Sequence, residues 1–209
     1  MKYLDAINKL DENKVWDREW LKTWLAQGVE PATGWTNQAS DNSNHRKTVL
    51  KLSEFVFGPA SEKELVGVDK RLVAVNRRAL QLSEQDYCIY DGIRTIKEQQ
   101  THVRNGTSRT MQSRHLDGLA TDNVPWINGK PTWDWDGCFK IALAMDQAAT
   151  ELGYADLITW GGDWSRRLSD YGGDKWQAYR VAVDHYKQIH PGPDFIDGPH
   201  FEIAGPRQL

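Results

Sequence analysis

The sequence predicts an α+β fold. Amphipathic helical periods are interspersed with short apolar strands, without the strict strand-helix-strand rhythm of a parallel sheet, and no internal repeat is present. Capping signals, glycine stops and the hairpin-type dipeptide Asn128-Gly129 punctuate these elements.

From the start, residues 4–26 read as a helix with Trp16, Trp20 and Trp24 on one face. Gly28 and Pro31 end it, and the Thr/Asn/Ser/Gly-rich stretch 31–47 reads as a linker, so a boundary is expected near residue 50. The tryptophan stripe suits packing against the rest of the chain or within the extension; a wall-binding or membrane-active helix is the sharper alternative, weakened by mixed charge on the other face. Ser61 to Glu64 forms a capping box, predicted to open a helix whose apolar stripe is Leu65, Val68, Leu72, Val75 and Ala79. YCIYDGI (87–93) reads as a strand, and Thr95 to Glu98 is a second capping box, opening a helix that stops at Gly106. Arg94 therefore stands at a strand-to-helix junction, where side chains commonly face a cleft.

LDGLATDNVP (116–125) is short and proline-bounded and reads as a strand carrying Asp122; Asn123 behind it suggests that the strand ends or turns early. Asn128-Gly129 marks a hairpin turn, flanked by Trp126, Trp133 and Trp135, which are core candidates that near a cleft could stack on sugars or peptides. A helix over 138–153 closes at Gly153, LITWGG (157–162) reads as a strand, a helix-like piece covers 175–190, and GPHFEIAG (198–205) returns to strand alternation.

Composition narrows the function classes. The chain has 209 residues, 39% of them apolar, enough for one ordinary core with a small appended unit. A net charge of -3 and a pI near 6.1 argue against nucleic acid as a partner. No window holds 18 successive apolar residues, and the start lacks the apolar run of a secretory signal, so a soluble cytoplasmic chain is expected. Cys88 and Cys138 form no Cys-x-x-Cys pair and are expected to be buried free thiols.

A catalytic zinc takes three histidine or carboxylate ligands and keeps one position for water. His115 and Asp122 supply two candidates, and His200, at the head of the last strand with Asp197 three residues before it, is the best third. The His115 and Asp122 pair alone occurs by chance in many proteins. The combination Ser113-x-His115-x-x-Gly118-x-Ala120-x-Asp122 with Asp197-x-x-His200-x-Glu202 carries more information. It resembles the zinc-dependent D-alanyl-D-alanine carboxypeptidases and, more closely, the phage L-alanyl-D-glutamate peptidases that serve as endolysins. FGPASEKEL, GIRT, NGT, INGK and GGDW fall in the matching order, so that the resemblance spans roughly 55–205.

The resemblance implies a small antiparallel sheet flanked by helices, with the catalytic domain over 55–209 and a helical extension of unknown role over 1–54. It implies one zinc ion on His115, Asp122 and His200, with Asp197 as general base and Arg94 as the arginine that stabilises the oxyanion. Ser113 is expected to hydrogen-bond substrate or a ligand, Gly118 and Ala120 to be packing positions, and Glu202 to support His200 rather than bind metal. His45, His102, His185, His190 and Asp117 are read as structural or surface residues. The implied substrate is the peptidoglycan stem peptide, cut by a monomer held in the host cytoplasm until a separate holin-like protein lets it reach the wall. The rivals are a D-alanyl-D-alanine carboxypeptidase or dipeptidase, and a non-catalytic wall-binding or structural protein whose zinc serves folding.

Overall fold

Strand pairing organises the chain. In the computed structural model, which describes residues 52–171, 175–190 and 195–205, six strands form one sheet: β1 (Tyr87–Asp91), β2 (Ala120–Ile127), β3 (Lys130–Pro131), β4 (Ile158–Trp160), β5 (Asp163–Arg167) and β6 (His200–Ile203). Their order is β1-β2-β6-β4-β5, with β3 on β2, and every pairing is antiparallel. The last strand thus lies at the centre, where its alternate residues face opposite sides. The expected helix over 4–26 and the linker after it lie outside the described residues, all of which fall in the compact unit Ala32–Leu209.

The helix expected from Ser61 is two helices, α1 (Pro59–Glu64) and α2 (Lys70–Leu82). Gly67 at φ 84° breaks the run, and Asp69 restarts it by accepting a hydrogen bond from the Arg71 amide at 2.9 Å. Ser61 is no cap: it lies buried inside α1 and its hydroxyl accepts from the Ile89 amide at 3.2 Å, tying α1 to β1. The stripe Leu65, Val68, Leu72, Val75 and Ala79 is buried throughout, so its periodicity survives the break. The second capping box holds, with Thr95 and Glu98 bonded reciprocally at the start of α3 (Ile96–Arg104).

Helix α4 (Trp135–Glu151) begins three residues before Cys138 because the Asp134 carboxylate caps it, accepting from the Gly137 amide at 2.7 Å. It packs on α2, on β2 and on α5 (Gln177–Ile189). Leu72, Val75, Ile141, Met145, Ile158 and Phe201 fill the core. Asn128 and Gly129 both take positive φ in the β2–β3 hairpin, as that dipeptide predicts. Strand β2 does not stop at Asn123 but runs to Ile127. Strand β5 is a hairpin partner of β4 that the polar residues after Trp164 did not announce. Both cysteines are free, Cys138 buried and Cys88 only half-buried. No helix among the described residues is long and apolar enough to cross a membrane.

Candidate active site

The register of β2 on β6 sets Asp122 opposite His200, so the two side chains share one face of the sheet. His115 comes from the turn before β2. Ser113 caps this short turn, Arg114–Asp117, by accepting from the His115 amide at 3.4 Å. Gly118 closes it at φ 66°, where a Cβ would stand 2.5 Å from the Gly67 carbonyl oxygen. Ala120 is fully buried. Gly92, after β1, admits an even closer approach: a Cβ there would lie 1.8 Å from the Glu64 carbonyl oxygen. The Gly92 carbonyl in turn accepts from His115 Nδ1 at 2.6 Å.

That last contact determines what the imidazole can do. A carbonyl only accepts, so Nδ1 carries the hydrogen and the His115 Nε2 lone pair points inward. His200 is held in the opposite sense: its Nε2 donates to Glu202 Oε2 at 3.1 Å, which aims Nδ1 inward. His115 Nε2 and His200 Nδ1 lie 3.2 Å apart, and Asp122 Oδ1 is 3.2 Å from the first and 3.0 Å from the second. Three electron-rich atoms this close repel unless a cation sits among them. Without a metal, a proton does so: the hydrogen bonds of Asp122 and Glu202 overcome burial and push the His200 imidazole up to about 10. Burial also opposes the Asp122 charge, but both histidines outweigh it and hold the carboxyl well below its usual range. Two imidazoles and a carboxylate are a donor set that could hold a metal ion, and theirs is the metal-capable cluster found among the described residues.

Asp197 lies in the turn before β6, fixed by its amide donating to the Gly161 carbonyl at 2.8 Å and its carbonyl accepting from the His200 amide at 3.2 Å. Burial, aided by the Asp122 charge, pushes its carboxyl up to about 6. Arg94 is clamped: Nε donates to Asp91 Oδ2 at 2.6 Å, one terminal nitrogen to Asp122 Oδ2, and the other reaches Gln99 Oε1 at 3.4 Å. Asp122 thus presents one oxygen to the histidines and the other to Arg94. Arg94, Ser113, Asp122, Asp197, His200 and Glu202 border one cleft of about 510 Å³, behind which His115 is wholly buried.

Sequence reasoning missed the support behind Arg94. Asp91 also lies 3.5 Å from His102 Nε2, so this histidine, read as a surface or boundary residue and half-buried in the fold, flanks the same carboxylate. Gln99 is fully buried and donates to Ser108 Oγ at 2.8 Å and the Thr110 carbonyl at 2.7 Å, tethering the loop that forms one cleft wall. The three-residue spacing from Asp91 to Arg94 was the available signal; for Gln99, on an exposed-looking helix start, none was. His185 is exposed on α5, and His190, the residue just after that helix, packs on Tyr186. His45 lies outside the described residues.

Known proteins share this arrangement of sequence. The chain is 41% identical over 154 residues to the L-alanyl-D-glutamate peptidase of Escherichia phage T5, a match covering 72% of this chain and 98% of the relative. It is 39% identical over 97 residues to the L-alanyl-D-glutamate peptidase of Listeria phage A118, covering 44% of this chain and 32% of that one. Among solved structures, the L-Ala D-Glu endopeptidase ChiX of Serratia marcescens matches with a TM-score of 0.52 at 34% identity, covering 72% of this chain and 92% of ChiX. Residues 53–204 match the phage L-alanyl-D-glutamate peptidase family. The chain belongs to that family and is a peptidoglycan-degrading peptidase of the phage endolysin type.

Proposed function

We propose that the chain is a zinc-dependent endolysin that hydrolyses the L-alanyl-D-glutamate amide of peptidoglycan stem peptides, with His115, Asp122 and His200 as the zinc ligands. The observation that carries this reading is the convergence of two imidazole lone pairs and one carboxylate oxygen within about hydrogen-bond distance, bordering a cleft that also holds Asp197. A zinc ion bound there would supply Lewis acidity and bring the pKa of a water toward neutrality.

The protein's own groups do the rest. Asp197, buried and raised to about 6, takes a proton from the attacking water and returns it to the departing D-glutamate nitrogen. Arg94 holds the second oxygen of Asp122 and sets permanent positive charge at the cleft wall, where negative charge develops on the scissile carbonyl. Glu202 keeps the His200 ring oriented and Ser113 holds the His115 turn. Residues 55–209 carry the chemistry, and 1–54 form an extension to it. The chain acts as a monomer that waits in the host cytoplasm until a holin-like protein opens the membrane, and then works on the wall.

Mass analysis of a digest of purified wall sacculi tests this directly. L-alanine-ended glycan and peptides headed by D-glutamate are expected, abolished by a chelator and restored by zinc. Loss of terminal D-alanine would move the activity to the carboxypeptidase class. Digestion indifferent to chelator would remove the metal.

A further inference from the structure

Of the four large aromatic side chains that line the cleft, two are exposed and take no part in the chemistry. Tyr90 and Trp133 are 49% and 60% exposed, line the cleft, and pack edge to face with ring centroids 4.9 Å apart. Local backbone structure puts them there. The β1–β2 register runs from Ile89 opposite Asn123 to Asp91 opposite Asp122, so Tyr90 is the extra residue of a β-bulge. Such bulges re-aim a side chain beside a reaction site. Trp133 follows β3 inside a tight turn in which the Asp134 amide donates to the Thr132 carbonyl at 2.8 Å.

Beyond Trp133 the surface sinks into a second hollow of about 190 Å³, walled by Trp133, Trp135, Ile196 and Pro199, with the half-buried carboxylate of Asp134 beside them. Cleft and hollow share Trp133, Asp197 and Pro199, so this aromatic surface runs continuously from the reacting groups.

Substrate chemistry says what belongs on it. In peptidoglycan the stem's L-alanine nitrogen is acylated by the lactyl ether of N-acetylmuramic acid, so a pyranose lies one amino acid from the scissile bond on its acyl side. A pyranose offers a face of C–H groups that packs flat on aromatic rings, and rim hydroxyls that donate to carboxylates. We propose that Tyr90, Trp133 and the hollow behind them, with Asp134 as hydroxyl acceptor, form a subsite for the N-acetylmuramyl sugar that carries the stem peptide. This rests on the cleavage proposed above. It makes the enzyme a reader of glycan as well as peptide, and it orients the stem with its sugar toward β1 and β3.

Two soluble substrates with the same stem peptide separate the contributions, one capped by N-acetylmuramic acid and one by a plain acetyl group. Trp133→Ala and Tyr90→Ala should each lower kcat/KM on the muramyl substrate about fivefold to tenfold, mainly through KM, as expected for an aromatic contact. On the acetyl substrate they should stay within about twofold, and Trp133→Phe should retain most of the muramyl preference. Equal loss on both substrates, or loss on neither, overturns the subsite while leaving the cleavage intact. A wild-type chain that cuts neither substrate removes the proposed cleavage, and the subsite with it.

Discussion

Asp122 and Asn123 are neighbours on one strand, and they face two different kinds of polar cluster. On one face Asp122 meets His115 and His200, acceptors converging on acceptors. On the other, Asn123 Nδ2 donates to Asn76 Oδ1 at 2.7 Å, Asn76 Nδ2 donates to Thr121 Oγ1 at 3.2 Å and the Leu72 carbonyl at 3.0 Å, and the Tyr87 hydroxyl donates to the Asn76 carbonyl at 2.8 Å. There donors meet acceptors, and the network ties β2 and β1 to α2. Burial is similar on both sides, so burial does not distinguish a reactive site from a structural one. What distinguishes them is how the polar atoms meet: on the asparagine side each contact sets a donor against an acceptor and holds the sheet to its helix, with Asn123 Oδ1 left over, while on the aspartate side the acceptors need a cation between them.

The largest expected effect breaks the aspartate side. His115→Ala removes one inward lone pair and should abolish both metal binding and wall digestion, read by elemental analysis and turbidity loss on the same sample. Next comes Asp197→Ala, which should lower kcat by about 10²–10⁴ with the metal still bound, because it removes the proton carrier and leaves the ligands. A structural zinc in a non-catalytic protein predicts no change.

The same residue carries a pH signature. The carboxylate form is the base, so activity should fall on the acid side at or below about pH 6, since a bound cation can only pull down the value of about 6. The raised carboxyl favours folding while protonated: that contribution is complete below the unfolded value near ~3.9 and is lost as pH rises through about 6. Metal-free Asp197→Asn should therefore melt above metal-free wild type at pH 8 and with it at pH 3, as thermal scans would show. Equal melting at both pH values would mean that Asp197 ionises without penalty.

Glu202→Ala touches the aspartate side only through the His200 ring, and should weaken metal affinity about 10–100-fold in a competition titration. The smallest functional effect belongs to the other face. Asn123→Leu leaves Asn76 Oδ1 without its donor and should cost about 1–3 kcal/mol of stability, with metal stoichiometry unchanged. Loss of metal in that variant would show that the two clusters are one unit.

The α+β class, the hairpin at Asn128-Gly129, the second capping box and the buried stripe from Leu65 to Ala79 were legible because each rests on a local pattern. Local patterns also misled. Ser61 satisfies a capping-box pattern but spends its hydroxyl on β1, while Val-Gly-Val-Asp at 66–69, a stop followed by a start, is masked by the periodic stripe that runs through it. Asn123 looked like the end of a strand because its partner, Asn76, is 47 residues away. The cluster residues His115, Asp122 and His200 were legible through resemblance, and the sheet register explains why residues so far apart can meet. Asp91 and Gln99 were hidden because their work is done on another side chain, Arg94, rather than in a motif.

Zinc titration of the metal-free full chain, followed by calorimetry in parallel with Asp122→Ala, tests the central claim most directly. One ion per wild-type chain is expected, with a proton released on binding at neutral pH as the cation replaces the one on His200, and no binding by the variant. Wild type that takes up no zinc, or an Asp122→Ala chain that binds it equally well, would contradict the account.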